Sequence, residues 1–309
     1  MKIISIGEVL WDVIEQTEHL GGAPFNFAAH ASRLGHDVLF VSAVGTDERG
    51  ERVLQRMQAM NLSTRTVARV PEHPTGHVTV SLDSAGQPTF MIHRPAAYDF
   101  PYLSATDFAA LLSPLPDLFY FGTLQQMSPP AKELTLRLLQ SSPQARRFYD
   151  GNLRKSSYEP KLVRDLMERE RATILKVNDQ EVNEITRFFG GQHRSVEEFC
   201  REYSEKFRLE AVCVTRGAQG CSLFLREEYV EARGYTVPVM DAVGAGDAFA
   251  AAFVHGLSQN WPAAEIADFS NRVGALVASR AGAIPAWTID EVHALTQPVN
   301  PRWNQQFLR

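Results

Sequence analysis

Five short strand-like runs, Val38 to Val44, Leu118 to Phe121, Arg147 to Asp150, Ile174 to Val177 and Ala211 to Thr215, alternate along the chain with helical patterns. A strand that returns to its own sheet in the parallel sense needs a long crossover, and a helix is the usual one. The alternation therefore predicts βαβ units and an α/β fold: a mainly parallel central sheet flanked by helices. An earlier run, Lys2-Ile3-Ile4-Ser5-Ile6-Gly7, reads as a further buried strand. No linker rich in Pro, Ser or Gly, no internal repeat and no low-complexity tract interrupts the pattern, so the expectation is one domain over residues 1–309.

Sites in open α/β sheets lie outside the carboxyl ends of strands, and Asp12, Asn152, Asn178 and Thr215 all fall at or just after such ends. The richest segment lies further on. Val239 to Phe253 joins a Gly244-Ala245-Gly246 turn, the carboxylate of Asp247 and the start of an Ala-rich helix. A helix N-terminus exposes unpaired N–H groups and a partial positive charge, and glycines let an anion approach that backbone. Asp247 in the same turn could take a proton from an attacking hydroxyl while the amides stabilise charge on a transferred phosphoryl group. Taken alone, the segment also fits a tight turn followed by an acid that favours the helix dipole. A dinucleotide fingerprint does not fit, because Phe249 stands where its third glycine belongs.

Near the start, Gly21-Gly22-Ala23-Pro24-Phe25-Asn26 reads as a permissive turn with Pro24 at a first helical position, opening a helix that ends at Gly35. Asn26 offers donor and acceptor, Asp12 acceptors only, so the two could read vicinal hydroxyls; a strand-end turn and a helix cap explain them equally well.

Lysine and arginine number 31 against 36 acids, a net charge of −5, with no basic stripe, which argues against nucleic acid as a partner. No apolar run is long enough to span a bilayer, and the charges at Lys2, Glu8 and Asp12 come too early for a signal peptide, so a cytoplasmic protein is expected. Cys200, Cys213 and Cys221 lack zinc-type spacing and read as reduced, partly buried thiols with no assigned chemistry.

The two glycine-bearing segments resemble the signature regions of the ribokinase-like (phosphofructokinase B type) carbohydrate kinases: GG-x-x-x-N at Gly21 to Asn26, and D-x-x-GAGD at Asp241 to Asp247. The resemblance runs the length of the chain in the family's order. Pro74 to Arg94 resembles the lid hairpin, Tyr149 to Arg154 the D-x-N-x-R element, Lys176 to Glu181 the N-x-x-E motif, and Val214 to Gly220 the nucleotide-side turn. Gly151 and Ala242 depart from the more usual Pro or Val and Thr, and neither change removes a functional side chain.

The resemblance implies a single ribokinase-like domain with lid segments around 12–20 and 75–98, and a set of roles. Asp247 is the general base; Gly244, Ala245 and Gly246 supply amides to the phosphoryl group; Arg154 is a cation beside it. Asp12, Gly22, Asn26, Arg94 and Asn152 hold the substrate. Asn178, Thr215, Gly217, Gly220 and Asn271 line the nucleotide, and Glu181 with Asn178 orders hydrated Mg²⁺. Asp241, Val243 and Gly282 match loop positions that bind K⁺ in some family members. ATP is the implied co-substrate, a sugar the acceptor, and a homodimer through the lid a further expectation. Gly7-Glu8-Val9-Leu10-Trp11-Asp12, the Pro-Thr-Gly lid entry, Arg94 to Ala97 and Asn152-Leu153-Arg154 most resemble fructokinases, so fructose is the first substrate expected, with ribose, ketogluconate or a nucleoside as alternatives. A non-catalytic sugar-binding regulator would be expected to lose Asp247 or a glycine of the turn. An oxidoreductase would need a glycine fingerprint where Gly7-Glu8-Val9 stands.

Overall fold

The computed structural model describes residues 1–15, 17–82, 88–154, 158–168, 172–191 and 195–296. Two compact units divide the chain, Met1–Leu175 and Lys176–Arg309.

The first unit opens with β1 (Lys2–Ile6), β2 (Leu10–Ile14), β3 (Thr17–Gly21), α1 (Ala23–Arg33), β4 (Asp37–Val44), α2 (Glu48–Ala59) and β5 (Val67–Arg69). There follow β6 (Gly76–Leu82), β7 (Pro88–Ile92), a 3₁₀ turn at Ala97–Asp99, α3 (Ala105–Leu111), β8 (Leu118–Gly122), α4 (Thr123–Gln126), α5 (Pro129–Ser141), β9 (Arg146–Asp150) and α6 (Pro160–Met167). β1 lies between β4 and β8, β9 continues beyond β8 and β5 beyond β4, and every one of these pairings is parallel. All five residues of β1 are buried, as a strand covered on both faces requires.

Helix α1 supplies part of that cover. Phe27 stacks on Tyr120 of β8 at 3.8 Å between ring centroids, and Phe25 meets Phe40 of β4 edge-on at 5.5 Å. Burying one such ring contributes about 1.5–3 kcal/mol. The helix can press this close because residue 7 is glycine: a Cβ there would stand 2.0 Å from Cγ of Pro24, the second residue of α1.

A second sheet of the same unit runs in the order β3-β2-β6-β7, with β2 and β6 parallel and both outer pairings antiparallel. These strands run through both expected lid segments, of which residues 83–87 and Gln16 lie outside the described residues. Glu18 of β3 ties the sheet to α2 through Arg49 and Arg52, at 2.6 Å each.

The second unit contains most of β10 (Ile174–Asn178), then α7 (Asp179–Phe188), α8 (Val196–Phe207), β11 (Ala211–Thr215), β12 (Cys221–Leu225), β13 (Glu228–Ala232), α9 (Ala245–Ser258), α10 (Ala263–Ala278) and α11 (Ile289–Ala294). Here β11, β12 and β13 form an antiparallel meander. The expected fold class holds, a mainly parallel sheet with helices around it, and the meander is an addition that the alternation of strand and helix did not signal. α9 buries every residue from Ala248 to Val254, and its small side chains allow close packing against α10. The cysteines are more buried than expected. All three are free and buried, and burial pushes the Cys200 thiol up to about 12, which leaves it inert at neutral pH. Among the described residues no helix is long and apolar enough to cross a membrane.

Candidate active site

In the second unit, Gly244 is the N-cap of α9 and sits in the left-handed region at φ 78°. A Cβ at this position would also fall 2.4 Å from the carbonyl oxygen of Ala283, so conformation and space both demand glycine. Ala245, Gly246 and Asp247 form the first turn. Gly246 is exposed, and Asp247 is half-buried. The Ala245 amide lies 3.4 Å from the carbonyl of Ala242, long for a hydrogen bond, so little competes with an incoming anion.

The loop ahead of this turn is organised by Asp241. Its Oδ1 accepts the Val243 amide at 2.9 Å and its Oδ2 the Gly282 amide at 3.1 Å, which brings together the three residues expected to form a cation loop. The amides of Met240 and Asp241 both donate to the Ala278 carbonyl at the end of α10, at 2.9 and 3.2 Å.

Asn178 and Glu181 make a reciprocal cap at the start of α7. The Glu181 amide donates to Asn178 Oδ1 at 2.9 Å, and the Asn178 amide to Glu181 Oε2 at 2.8 Å. One oxygen of each side chain is thus committed to the helix start. Thr215 donates its hydroxyl to the Val177 carbonyl at 3.4 Å, and Gly217 and Gly220 take φ values of 53° and 98° in the turn that follows. Asn271 uses both hydrogens of its amide on the Ala232 and Arg233 carbonyls, at 3.2 and 3.1 Å, so it pins α10 to the end of β13.

Sequence reasoning missed Lys176. This buried residue of β10 lies two positions before Asn178, on the same face of the strand, and its Nζ stands 3.6 Å from the point a Cβ of Gly246 would occupy. The signal was present in Lys176-Val177-Asn178, because a lysine inside an otherwise apolar strand has to bring its ammonium to something polar.

In the first unit, Asp12 on β2 is half-buried, with Oδ2 3.0 Å from where a Cβ of Gly21 would be. Gly22, at φ 110°, caps α1, and the Asn26 amide closes the first turn on the Gly22 carbonyl at 2.8 Å. The structure thus brings Asp12, Gly22 and Asn26 to one corner. Arg94 is placed differently from expectation: Nε and Nη2 bind the buried carboxylate of Asp99 at 3.2 and 2.5 Å, and Nη1 donates to the Leu124 carbonyl at 3.1 Å. Its fork is largely taken up within the protein. At the end of β9, Asp150 accepts the Tyr120 hydroxyl at 2.8 Å, and just beyond it the Gly151 carbonyl accepts the Thr123 hydroxyl at 2.5 Å. Asn152 takes a left-handed φ of 39°, and Arg154 is exposed.

Comparison with known proteins decides what these features belong to. The description "pfkB family carbohydrate kinase" matches residues 3–289. The chain belongs to the pfkB family of carbohydrate kinases. It is accordingly a sugar phosphotransferase. Fructokinase-1 of Oryza sativa subsp. japonica is 26% identical over 309 residues, spanning 92% of this chain and 94% of the relative. A fructokinase of Xylella fastidiosa solved with bound ATP superposes with a TM-score of 0.82 at 23% identity, covering 95% of this chain and 97% of its own. The 2-dehydro-3-deoxygluconokinase of Thermotoga maritima gives a TM-score of 0.80 at 19% identity, covering 95% and 98%. At these identities the two structural likenesses speak for the fold alone. Kinases of this fold thus act on more than one sugar, and membership of the pfkB family leaves the acceptor to be argued from the residues.

Proposed function

We propose that the chain transfers the γ-phosphoryl group of ATP to a hydroxyl of a monosaccharide, with fructose as the first substrate. The observation that carries this reading is the start of α9: a left-handed glycine cap, an exposed glycine one residue into the helix, and a half-buried carboxylate beside it. Asp247 takes the proton of the acceptor hydroxyl as its oxygen bonds to the γ-phosphorus. The bond from that phosphorus to the bridging oxygen breaks, and the electron pair leaves with ADP. The amides of Gly244, Ala245 and Gly246 face the charge that develops on the phosphoryl oxygens.

Asp12, Gly22 and Asn26 hold sugar hydroxyls, joined by Asn152, and Arg94 shapes the same side from its pairing with Asp99. Arg154 meets phosphate as an exposed cation. Thr215, Gly217 and Gly220 line the nucleotide, with Asn271 near the base through its remaining carbonyl oxygen. Among the described residues no three side chains of His, Cys, Asp or Glu gather into a metal cage. A single carboxylate, Glu181, beside the Asn178 amide suits Mg²⁺, which keeps several waters and binds through one or two carboxylates and the phosphates of its nucleotide. Glu181 and Asn178 would hold the hydrated ion, which when bound neutralises phosphate charge. The loop of Asp241, Val243 and Gly282 is the place for a monovalent cation. The exposed Ile14 and Met91 of the small sheet favour a homodimer through the lid, and the cytoplasm is the compartment expected.

ADP release with Mg-ATP and fructose, ribose, 2-keto-3-deoxygluconate or adenosine tests class and substrate together. Fructose should give the highest kcat/KM. Asp247→Asn should lower turnover by about 10²–10⁴-fold with little effect on ATP affinity. A loss below tenfold would remove Asp247 as base, and a higher kcat/KM for another acceptor would remove fructose.

A further inference from the structure

We infer that Thr123 is a positioning residue of the sugar site: its hydroxyl fixes the peptide that sets the backbone of Asn152, and so aims the Asn152 amide at the acceptor. The inference deepens the reading of Asn152 as a substrate contact and rests on it.

Asn152 takes φ 39°, in left-handed space that residues other than glycine seldom occupy. A residue kept there has to be held by its surroundings, and such residues gather at binding sites. The hold is one peptide earlier. The Gly151 carbonyl accepts the Thr123 hydroxyl at 2.5 Å, and the Thr123 and Tyr149 hydroxyls lie 2.7 Å apart. A carbonyl oxygen can only accept, so the single hydrogen of the Thr123 hydroxyl goes to Gly151 and Tyr149 donates to Thr123. The relay therefore runs from Tyr149 through Thr123 to Gly151. The Gly151 carbonyl shares one rigid plane with the nitrogen and Cα of Asn152, so holding that oxygen holds the plane from which φ of Asn152 is turned.

The setting makes this hold effective. Thr123 and Tyr149 are both buried, which shields their bonds from water. Glycine at 151 leaves its own backbone the most freedom, so the restraint has to come from outside the turn. Thr123 opens α4 directly after β8, Asn152 follows β9, and the two strands are parallel neighbours with Gly122 opposite Asp150. The relay thus joins the carboxyl ends of two strands, where open α/β sheets bind their ligands. Asp150 and Gly151 are buried and Asn152 is half-buried, so the restrained peptide leads straight to a side chain at the edge of the interior. A tie that served stability alone could end on any peptide beyond β9; this one ends on the peptide before the left-handed residue.

The test crosses Thr123→Val with Asn152→Gly and adds Thr123→Ser, each checked for cooperative unfolding. Kinetics are followed by ADP release with whichever of fructose, ribose, 2-keto-3-deoxygluconate and adenosine gives the parent its highest kcat/KM. Glycine takes φ 39° freely, so Asn152→Gly removes the amide and leaves the backbone path intact. Thr123→Val should raise KM for the acceptor about tenfold, as loss of one hydrogen bond to substrate does, with kcat and KM for ATP within about threefold of the parent. Thr123→Ser keeps the hydroxyl and should return KM for the acceptor to near the parental value. Asn152→Gly should raise the same KM on its own, and adding Thr123→Val to it should change that KM by less than about twofold, because the two residues act through one contact. Equal factors for Thr123→Val in both backgrounds would overturn the inference, as would equal rises in KM for acceptor and ATP. If Thr123→Val does not fold, Thr123→Ala takes its place in the cycle and is judged in the same way. A parental acceptor KM in Asn152→Gly defeats Asn152 as a substrate contact and the inference with it. A raised KM in Asn152→Gly beside a parental one in Thr123→Val defeats the positioning role alone.

Discussion

Asp241 and Gly282 are joined by a hydrogen bond from the Gly282 amide to Asp241 Oδ2 at 3.1 Å, across 41 positions of sequence. With the Val243 amide on Oδ1 at 2.9 Å, one carboxylate fixes both the loop before α9 and the loop after α10. Asp241→Ala removes two charge-assisted bonds, and a loss of about 2 kcal/mol in urea unfolding is expected for a half-exposed pair of this kind. The effect on turnover should exceed what lost stability explains, more than about tenfold, because small displacements of positioning groups are costly to catalysis. Full activity in a destabilised Asp241→Ala would show that the loop does not position the α9 turn.

The glycines of that turn are not equivalent. Alanine at 244 must hold φ near 78° and brings Cβ to 2.4 Å from backbone, whereas alanine at 246 meets nothing nearer than the Lys176 ammonium at 3.6 Å. Gly244→Ala should therefore cost at least about 1–2 kcal/mol from the left-handed conformation alone. Gly246→Ala should keep the fold and lose activity. Thermal unfolding of the two variants side by side would contradict this if their midpoints were equal.

These contrasts mark what could be read before any coordinates. Periodicity placed β1, β4, β8, β9, β10 and β11, because a strand covered on both faces leaves a continuous apolar run, and β1 and β8 are buried at every residue. In the meander, β12 is buried at every residue but follows β11 with no helix between them, so the alternation did not mark it, and β13, Glu228 to Ala232, is half-exposed and carries acids. Within the site, the helix start at Gly244 to Asp247 was legible because a glycine turn ahead of an Ala-rich run marks it locally. Arg94 was not. A guanidinium is equally suited to a substrate or to a buried carboxylate, and the claim of Asp99 on it depends on a turn that Pro95 to Tyr98 make in space. Lys176 was hidden for a related reason, since nothing local ties a strand lysine to a helix seventy residues further on.

The pairing of Arg94 with Asp99 yields a test of its own. Asp99 has 4% of its side chain exposed, and its carboxylate also accepts the Ala96 amide at 3.0 Å. Arg94→Ala leaves that buried charge short of its main partner and should cost about 3–5 kcal/mol, far more than a surface pair would. Asp99→Asn keeps the shape and should cost less. If Arg94 also shapes the sugar side, Arg94→Lys should raise KM for the sugar while KM for ATP stays constant. Equal changes in the two KM values would confine Arg94 to structure.

Asp47 gives a prediction in pH. It caps α2, accepting the Gly50 amide at 2.8 Å, and it also accepts the Thr75 amide at 2.8 Å and the Thr75 hydroxyl at 2.6 Å. Burial pushes its carboxyl up, but the bonds from Thr75 and Gly50 and the charge of Arg49 outweigh that, and the net result lies below the usual value of 3.8. A carboxylate held below its unfolded value contributes stability that is present above the unfolded value and lost as pH falls through the folded one. Asp47→Ala should therefore cost about 1–2 kcal/mol at neutral pH, the usual range for a lost cap, with the gap to the parent unchanged down to about pH 5. Below about pH 4 the gap should close as the parent's own carboxylate takes up its proton. Urea unfolding of both proteins between about pH 3 and 8 measures it, and a gap that widened in acid would mean that the Asp47 carboxyl sits above its unfolded value, not below.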